Sequence, residues 1–462
     1  MVLRVYRGDY SKSIIKYAIK EAGNGGIFGQ FETGPAGGSA VFPACRPINV
    51  SDEISRLRSD AFCAIISHNI LRTGLRRDGR REKEMNMKMN IQNHNSYLLV
   101  DLNVIRRNAR VILGGLKPGT ELIPVLKDDA YGLGLVPVTE ALCSLPEIRR
   151  IALAHVSEGL ELRAAGIDRE LLVMGAALPF QMEAAAEAEL TLACPRPGFL
   201  TAYCEAAERV GKRARVQIKI DTGLHRIGLE REELDGLLEE LCACGKKAEI
   251  TGAFSHFSDV TDSALCEREY AAFLEAAEKL RAGGMEIPML HMACSASSER
   301  RPRYNLDAVR CGRRLYMDRP GVSGGAITEA VSWRSFVTQV KSRRAGERIG
   351  YGGAVTLKRD SLVATVGVGY GDGLNQGLFG VGAPVLLNGK RCRLLACCMD
   401  QCMVDATGLD CRVGDEVTFF GYDGNGGFLS SQEIAALVND DEGCGLTSAL
   451  SDRVARVYTT IP

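Results

Sequence analysis

Two patterns of hydrophobic and polar positions divide the chain. Between Tyr97 and about Met317, short apolar runs alternate with longer segments whose apolar residues recur every three to four positions. This alternation is typical of strand–helix units around a parallel sheet. The apolar runs are 121–127, 151–156, 171–175, 190–194, 215–221, 249–257, 289–295 and 308–312. Eight units in about 220 residues predict an α/β fold, a TIM-type (β/α)8 barrel.

The pattern changes after about Gly325. Short alternating runs are now separated by glycines, as in SWRSFVTQVKSRRAG, APVLLNGKRCRLLACCM and DEVTFFGYDGNGG. Antiparallel sheets produce this alternation because one face meets the core and the other meets water. We predict a barrel domain at 91–324, followed by a mostly antiparallel β domain at 325–462.

Residues 1–90 match neither pattern and are left unassigned. They contain the glycine-rich GQFETGPAGGSA and the basic LRRDGRREKE, and end near Met85, Met87 and Met89. The codons for EKE are purine-rich and could form an untranslated ribosome-binding site. We expect translation to start at one of these methionines, or residues 1–84 to be a genuine extension; the sequence leaves both open.

Composition narrows the classes of partner. Lys plus Arg and Asp plus Glu number 57 each, so net charge gives no argument for nucleic acid or an anionic membrane. No apolar run reaches the roughly 18 residues that cross a bilayer, and the first residues lack the apolar stretch of a signal peptide. We predict a cytoplasmic protein that acts on a small molecule.

Several kinds of chemistry are disfavoured. The 16 cysteines are too dilute for a disulfide scaffold and fit reduced core thiols. Their spacing contains no pair of Cys-x-x-Cys knuckles, so we predict no metal site. Neither a GxGxxG nor a Walker A pattern occurs, which argues against dinucleotide and P-loop chemistry.

Polar residues stand at the carboxyl ends of predicted strands, where barrel enzymes carry their chemistry. Any one of them could be a solvated strand end or a buried group with its hydrogen bonds made. Together they converge on one end of the predicted barrel, which we call the mouth. In chain order they are Lys127, Lys219, Asp221, His256, Ser295 and Arg310.

Lys127 is the candidate nucleophile. In such a mouth the ammonium form loses solvation, and the amine becomes available to condense with an aldehyde. A phosphate on the aldehyde cofactor would need hydroxyls, which Tyr131 and Ser295 could supply. The turn at Gly312 and Arg313 could add backbone amides and positive charge.

From Tyr97 to its C-terminus the chain resembles the alanine racemase family, which consists of fold-type III pyridoxal phosphate enzymes. The resembling stretches occur in the family's order: VLKDDAYGLG, IKIDTGLHRIG, FSHF, HMACS, AVRCG, GYGGAVTL, VGYGDG and CMDQCMVD. The resemblance implies a pyridoxal 5'-phosphate cofactor and interconversion of L- and D-alanine, supplying D-alanine for peptidoglycan. It also implies a homodimer with active sites at the subunit interface.

The resemblance implies two catalytic bases. Lys127 would bind the cofactor and act on one face of the substrate, and Tyr351, delivered from the partner subunit, would act on the other. Arg310 would face the pyridine nitrogen and, because arginine stays protonated, keep that nitrogen unprotonated. The weaker electron sink would favour racemisation over transamination.

The remaining roles are also implied by the resemblance. His256 would pack against the cofactor ring, while Tyr131 and Ser295 hold its phosphate. Arg226 would support the cofactor's phenolic oxygen and the substrate carboxylate. Lys219 occupies the position that is carbamylated in some relatives. The other substrate contacts are the Met399 backbone amide and, at the entrance, Tyr370 and Asp400.

Some residues depart from the family's pattern, and alternatives stay open. The replaced positions are Asp128, Asp129, Leu133, Cys294, Cys311, Arg313 and Arg314. A racemase that prefers serine or a larger amino acid is the nearest alternative. A decarboxylase on the same barrel is disfavoured by the CMDQCM stretch and Arg310. A non-catalytic pyridoxal phosphate carrier would need neither Tyr351 nor the β domain. The sequence does not decide between a biosynthetic and a catabolic role.

Overall fold

The computed structural model describes residues 93–317, 325–440 and 443–459, which belong to one compact unit. The predictions for residues 1–90, including a start at Met85, Met87 or Met89, lie outside the described residues. In the described part of the chain, no helix combines the length and the apolar character that crossing a membrane requires.

A closed parallel barrel forms the first domain. Strand β1 (Ser96–Val100) joins the second sheet instead, and the barrel strands are β2 (Glu121–Pro124), β3 (Arg150–Leu153), β4 (Glu170–Val173), β5 (Thr191–Cys194), β6 (Ala214–Lys219), β7 (Ala248–Phe254), β8 (Leu290–His291) and β9 (Ala308–Cys311). Strands β3 to β8 pair in sequence, and β2 pairs with β9. Single bridges, Val125 to Ala152 and Cys294 to Arg310, close the ring. The predicted (β/α)8 barrel is confirmed.

Helices cover the outside of the barrel. They are α1 (Leu102–Gly114), α2 (Leu135–Cys143), α3 (Val156–Ala164), α4 (Met182–Glu187), α5 (Phe199–Arg209), α6 (Leu234–Cys244), α7 (Ser263–Ala282) and α8 (Ser295–Arg300). In α1, Asp101 caps the first turn by accepting from the amides of Asn103 and Val104. The apolar stripe of α1, which includes Ile105 and Ile112, is buried.

The second domain is mostly antiparallel, as predicted. Its strands are β10 (Val331–Arg343), β11 (Arg348–Ile349), β12 (Val355–Thr356), β13 (Ser361–Val366), β14 (Pro384–Leu387), β15 (Lys390–Cys397), β16 (Cys402–Asp405), β17 (Glu416–Tyr422), β18 (Phe428–Leu429) and β19 (Ala455–Tyr458). The main sheet has the order β18-β17-β14-β15-β16-β13-β10-β1-β19, and a β10–β17 pairing closes six of these strands into a small barrel. Short helices α9 (Gly377–Gly380), α10 (Ser431–Ala436) and α11 (Cys444–Ser448) complete the domain.

Polar and apolar contacts tie the two domains together. Strand β1 pairs antiparallel with β10 and parallel with β19, so a segment that precedes the barrel lies in the β-domain sheet. The buried Asn108 side chain of α1 donates to the carbonyls of Leu315 and Thr328, at 3.0 and 2.8 Å. These contacts tie β1 and α1 to the β domain and to the segment that leads into it.

Candidate active site

The segment that carries Lys127 has an unusual backbone. We call residues 127–134 the lysine turn. Four consecutive non-glycine residues have positive φ, namely Asp128 (57°), Asp129 (52°), Ala130 (55°) and Tyr131 (63°). They form one turn of left-handed helix, which costs roughly 1–2 kcal/mol for each such residue. The surrounding structure must therefore hold this turn in place.

Glu158 holds the start of the lysine turn. The Asp128 amide donates to Oε1 of Glu158 at 2.6 Å. The Oε2 atom of Glu158 accepts from the amides of Ala154 and His155, at 2.8 and 2.9 Å. One carboxylate thus links the residue after Lys127 to the end of β3 and the first turn of α3. Sequence reasoning missed Glu158 because its partners are backbone amides.

The side chain of Tyr131 lies directly against the backbone of Gly312. A Cβ atom at Gly312 would overlap the Tyr131 hydroxyl, so only glycine fits there. The Tyr131 ring lies 5.6 Å from the Tyr316 ring, and Nζ of Lys127 lies 5.8 Å from the Tyr131 ring centroid. Burial raises the pKa of Tyr131, so its hydroxyl stays protonated and can donate to an anion.

A buried arginine forms the floor of the barrel mouth. Arg310 is 4% exposed, and its Nη2 atom donates to Nδ1 of His256 at 3.0 Å. Its Nη1 atom donates to Nδ1 of His291 at 2.6 Å. Nη2 also donates to the carbonyls of Ser255 and Met292, at 2.7 and 3.0 Å. Both imidazoles accept from the guanidinium through Nδ1, so each must be neutral at that nitrogen.

The electrostatics of this floor follow from burial. Burial, reinforced by the charge of Arg310, lowers the pKa of His256 to about 3. Burial also lowers the pKa of His291 well below its ordinary value. The pKa of Arg310 is lowered to about 10, again by burial, which still leaves the guanidinium charged at neutral pH. Arg310 therefore carries the positive charge, and the two histidines are neutral.

His291 was missed by sequence reasoning. Its Nε2 atom lies 2.7 Å from Oε1 of Gln217, and its ring stacks on Phe254 at 5.1 Å. His291 stands inside a predicted strand and not at its end, so the strand-end rule passed over it. A histidine within an apolar strand was the available signal.

Lys219 is a second amine in the mouth. It is 3% exposed, and its Nζ atom donates to the Ile220 carbonyl at 2.7 Å. Burial lowers the pKa of Lys219 to about 8; Asp221 opposes this shift, while Arg310 and Arg226 add to it. A partly neutral amine can react with carbon dioxide, so this environment is compatible with carbamylation.

Other predicted residues surround this floor. Ser295 is half-buried and begins helix α8. Arg313 reaches the β domain, where Nη1 donates to Oε1 of Gln432 at 3.2 Å. The exposed Arg226 follows Asp221, whose carboxylate accepts from two amides of its own loop.

Two residues that depart from the family's pattern have local roles. Oδ1 of Asp129 accepts from the Leu135 amide at 2.7 Å, at the first residue of α2. Leu133 is fully buried. Asp129 thus joins the lysine turn to the start of α2, and Leu133 packs in the core.

The remaining predicted residues lie on the β domain. Backbone hydrogen bonds join the turn of Tyr370 to the turn of Met399. Arg453 bridges the two turns, donating to Asp372 at 3.1 Å and to Asp400 at 2.8 Å. Sequence reasoning missed Arg453 because its carboxylate partners lie more than 50 residues away.

Tyr351 projects from the same domain. It begins a 3-10 turn, Tyr351–Gly353, between β11 and β12, and is 80% exposed. The structure thus gathers the barrel residues at one mouth, while Tyr351, Tyr370, Met399 and Asp400 lie on the β domain.

The donor set in the mouth fits a phosphorylated aromatic aldehyde. Lys127 offers an amine, the buried Arg310 offers a fixed charge for a ring nitrogen, and the Tyr131 hydroxyl beside Gly312 offers a donor for phosphate. Pyridoxal phosphate has all three groups.

Comparison with known proteins identifies the family. Residues 100–320 match the alanine racemase N-terminal domain, and residues 330–458 match the alanine racemase C-terminal domain. An alanine racemase from Desulforamulus reducens is 33% identical over 371 residues, covering 78% of this chain and 97% of that protein.

Solved structures agree with this match. The structure of alanine racemase from Bacillus anthracis with bound L-Ala-P has a TM-score of 0.73 and 29% identity, covering 79% of this chain and 95% of that chain. The structure from Bartonella henselae with covalently bound pyridoxal phosphate has a TM-score of 0.69 and 25% identity, covering 79% and 99%. This chain belongs to the alanine racemase family and is an amino-acid racemase, an isomerase.

Proposed function

We propose that the protein interconverts L-alanine and D-alanine with pyridoxal phosphate and two bases, Lys127 and Tyr351. The observation that carries this proposal is the buried Arg310, held between neutral His256 and His291. A guanidinium in that position keeps an adjacent ring nitrogen unprotonated. Proton return to the substrate Cα is then favoured over transamination.

The chain's own residues would hold the cofactor. When bound, pyridoxal phosphate supplies an electron-withdrawing ring that makes the α-hydrogen of the amino acid acidic. The holding residues would be Lys127, Tyr131, Arg226, His256, Ser295, Arg310, Gly312 and Arg313. The neutral hydroxyl of Tyr131 and the charge of Arg310 support this assignment, because both match groups of the cofactor.

Racemisation needs a proton to leave one face of Cα and another to arrive on the opposite face. A single fixed side chain can hardly serve both faces without moving, so two bases are needed. The Oη atom of Tyr351 would take the proton from the L-isomer, and Nζ of Lys127 would take it from the D-isomer. In each direction, the other base would return the proton.

A head-to-tail homodimer would complete each site. Tyr351 is 80% exposed and Met399 is 54% exposed, so the β domain presents two large side chains that a second copy would cover. Lys127 lies on the barrel of one subunit, and Tyr351 would come from the other. A two-fold arrangement would form two equivalent sites.

The substrate would lie between the barrel of one subunit and the β domain of the other. Its carboxylate would meet Arg226 and the backbone amide of Met399, with Tyr370 and Asp400 lining the entrance. The D-alanine formed would supply peptidoglycan.

A panel of L-amino acids tests this function. Purified protein is incubated with pyridoxal phosphate and each L-amino acid, and the D-isomer is measured by chiral chromatography. We expect L-alanine to turn over fastest. Faster turnover of L-serine or a larger amino acid would reassign the substrate, and binding of the cofactor without any D-product would contradict a racemase.

A further inference from the structure

The last strand of the β domain contacts the lysine turn directly. Arg456 Nε donates to the Gly132 carbonyl at 3.0 Å, and Tyr458 Oη donates to the Leu133 carbonyl at 3.0 Å. Gly132 immediately follows Tyr131, the last of the four left-handed non-glycine residues in the lysine turn. Strand β19 therefore holds the far end of the turn, opposite to Glu158.

Arg456 is itself fixed within the β domain. Its Nη1 atom donates to the carbonyls of Ser451 and Val454, at 2.7 and 2.8 Å. Its Nη2 atom donates to the Leu450 carbonyl at 2.9 Å. Every nitrogen of the guanidinium thus donates to a backbone carbonyl. The side chain acts as a rigid connection between β19 and the lysine turn, because no part of it is left to rotate.

Two glycines allow this close approach. A Cβ atom at Gly132 would overlap the Thr447 carbonyl, and one at Gly134 would overlap the Tyr458 hydroxyl. Both glycines also have positive φ, of 79° and 99°. The turn and the C-terminal segment therefore fit each other along their backbones, and not only through the two hydrogen bonds.

The two ends of the lysine turn have different supports. At the Lys127 end, the Leu126 amide donates to the Ala152 carbonyl at 2.8 Å, and Asp128 is bound by Glu158. At the Tyr131 end, the β domain adds a second support through Arg456 and Tyr458. Non-glycine residues disfavour the left-handed region, so loss of the second support lets the backbone at Tyr131 relax. Lys127 would keep its place while the Tyr131 hydroxyl moves away from Gly312.

We propose that Arg456 and Tyr458 are positioning residues for the cofactor phosphate, acting through Tyr131. This inference rests on the proposed assignment of Lys127 to the cofactor aldehyde and Tyr131 to its phosphate. The Lys127 end of the turn has its own support in Glu158. Removing Arg456 or Tyr458 therefore weakens binding of the phosphate and leaves the reaction of Lys127 with the aldehyde intact.

A comparison of two ligands tests this selectivity. Full-length protein is freed of cofactor with hydroxylamine, and its dissociation constants for pyridoxal phosphate and for pyridoxal, which lacks the phosphate, are measured. The variants are Arg456→Gln and Tyr458→Phe, which removes a single hydroxyl. We expect Arg456→Gln to weaken pyridoxal phosphate binding about tenfold to hundredfold, and Tyr458→Phe about tenfold. Pyridoxal binding should change less than about twofold in both.

Arg453→Gln is the matched control. Arg453 lies on the same segment, but its guanidinium contacts Asp372 and Asp400. This control should keep the wild-type preference for the phosphorylated ligand. If Arg456→Gln does not fold, as judged by its melting curve, the smaller change Tyr458→Phe decides the question.

Different outcomes overturn different claims. Equal losses for the two ligands, or an unchanged preference in Tyr458→Phe and Arg456→Gln, overturn the positioning role alone. A wild-type preference that survives Tyr131→Phe overturns the assignment of Tyr131, and the positioning role with it. Wild-type protein that binds neither ligand overturns the proposed function as well.

Discussion

The Nη2 atom of Arg310 donates to Nδ1 of His256 across 3.0 Å, and this contact fixes the charge of the barrel floor. His256 can accept only through an unprotonated nitrogen, and its pKa of about 3 follows from burial and from the arginine charge. The floor thus presents one guanidinium charge beside a neutral ring throughout the neutral pH range.

Changing the charge of this floor should change the reaction. In Arg310→Glu, a carboxylate would face the ring nitrogen and favour its protonation. We expect the racemase rate to fall by about 10²–10³, and slow transamination to release pyruvate. Pyruvate is measured with a coupled dehydrogenase assay. Arg310→Lys is the control, since it keeps a positive charge and should lose rate without forming pyruvate. Full racemase activity in Arg310→Glu would contradict the role given to Arg310.

Two lysines lie in the mouth, and only one should bind the cofactor. Borohydride reduction followed by peptide mapping should place the pyridoxyl group on Lys127, at the start of the lysine turn. Lys219 is the rival, because burial lowers its pKa to about 8 and makes its amine partly neutral. Lys127→Ala should abolish the label. A label on Lys219 in the wild-type protein would overturn the site assignment.

Hybrid dimers test the contribution of a second subunit. Lys127→Ala and Tyr351→Phe should each be inactive alone. A mixed dimer would combine the intact Lys127 of one chain with the intact Tyr351 of the other at one of its two sites. Random exchange should therefore restore about a quarter of wild-type activity. No recovery after confirmed subunit exchange would indicate a site built within one chain.

Glu329 should make stability depend on pH. It is buried, and its carboxylate accepts from the Ser431 amide. Burial raises its pKa from 4.5 to about 7. Between these values the folded protein holds a proton that the unfolded chain releases. The contribution of Glu329 to the free energy of unfolding is thus fully present below pH 4.5 and is lost as pH rises through about 7.

Glu329→Gln should remove this pH dependence. The slope lost would be at most about 1.4 kcal/mol for each pH unit. Urea unfolding of the variant and the wild type at pH 5.5 to 8 measures the difference. The exposed Glu286→Gln serves as the matched control and should retain the wild-type slope. An unchanged slope in Glu329→Gln would show that another group carries the effect.

Periodicity predicted the barrel strands because parallel strands buried on both faces are continuous apolar runs. All eight predicted runs overlap an observed strand. The same reasoning could not place β1, whose partners β10 and β19 lie more than 200 residues away. An apolar strand followed by a helix looks the same in either domain, and only the long-range pairing distinguishes them.

The sequence predicted those site residues whose side chains are charged and stand at the ends of apolar runs. Arg310 stands out by its charge among apolar neighbours, and Lys127 stands out as the charged residue that ends an apolar run. The left-handed turn after Lys127 did not stand out, since none of its four strained residues, 128–131, is the glycine that usually marks a positive φ. Arg456 holds this turn across 324 residues, a contact that no local pattern reveals.

Exchange of the α-hydrogen with heavy water tests the two-base account most directly. Wild-type protein should exchange the α-hydrogen of both isomers of alanine, because Tyr351 removes it from the L-isomer and Lys127 from the D-isomer. In Tyr351→Phe, exchange of L-alanine should fall by about 10²–10⁴, while D-alanine continues to exchange through Lys127. Tyr422→Phe, at another exposed tyrosine of the β domain, should leave both exchanges unchanged. Equal loss for both isomers with the cofactor still bound, or survival of L-alanine exchange, would contradict Tyr351 as the base for the L-isomer.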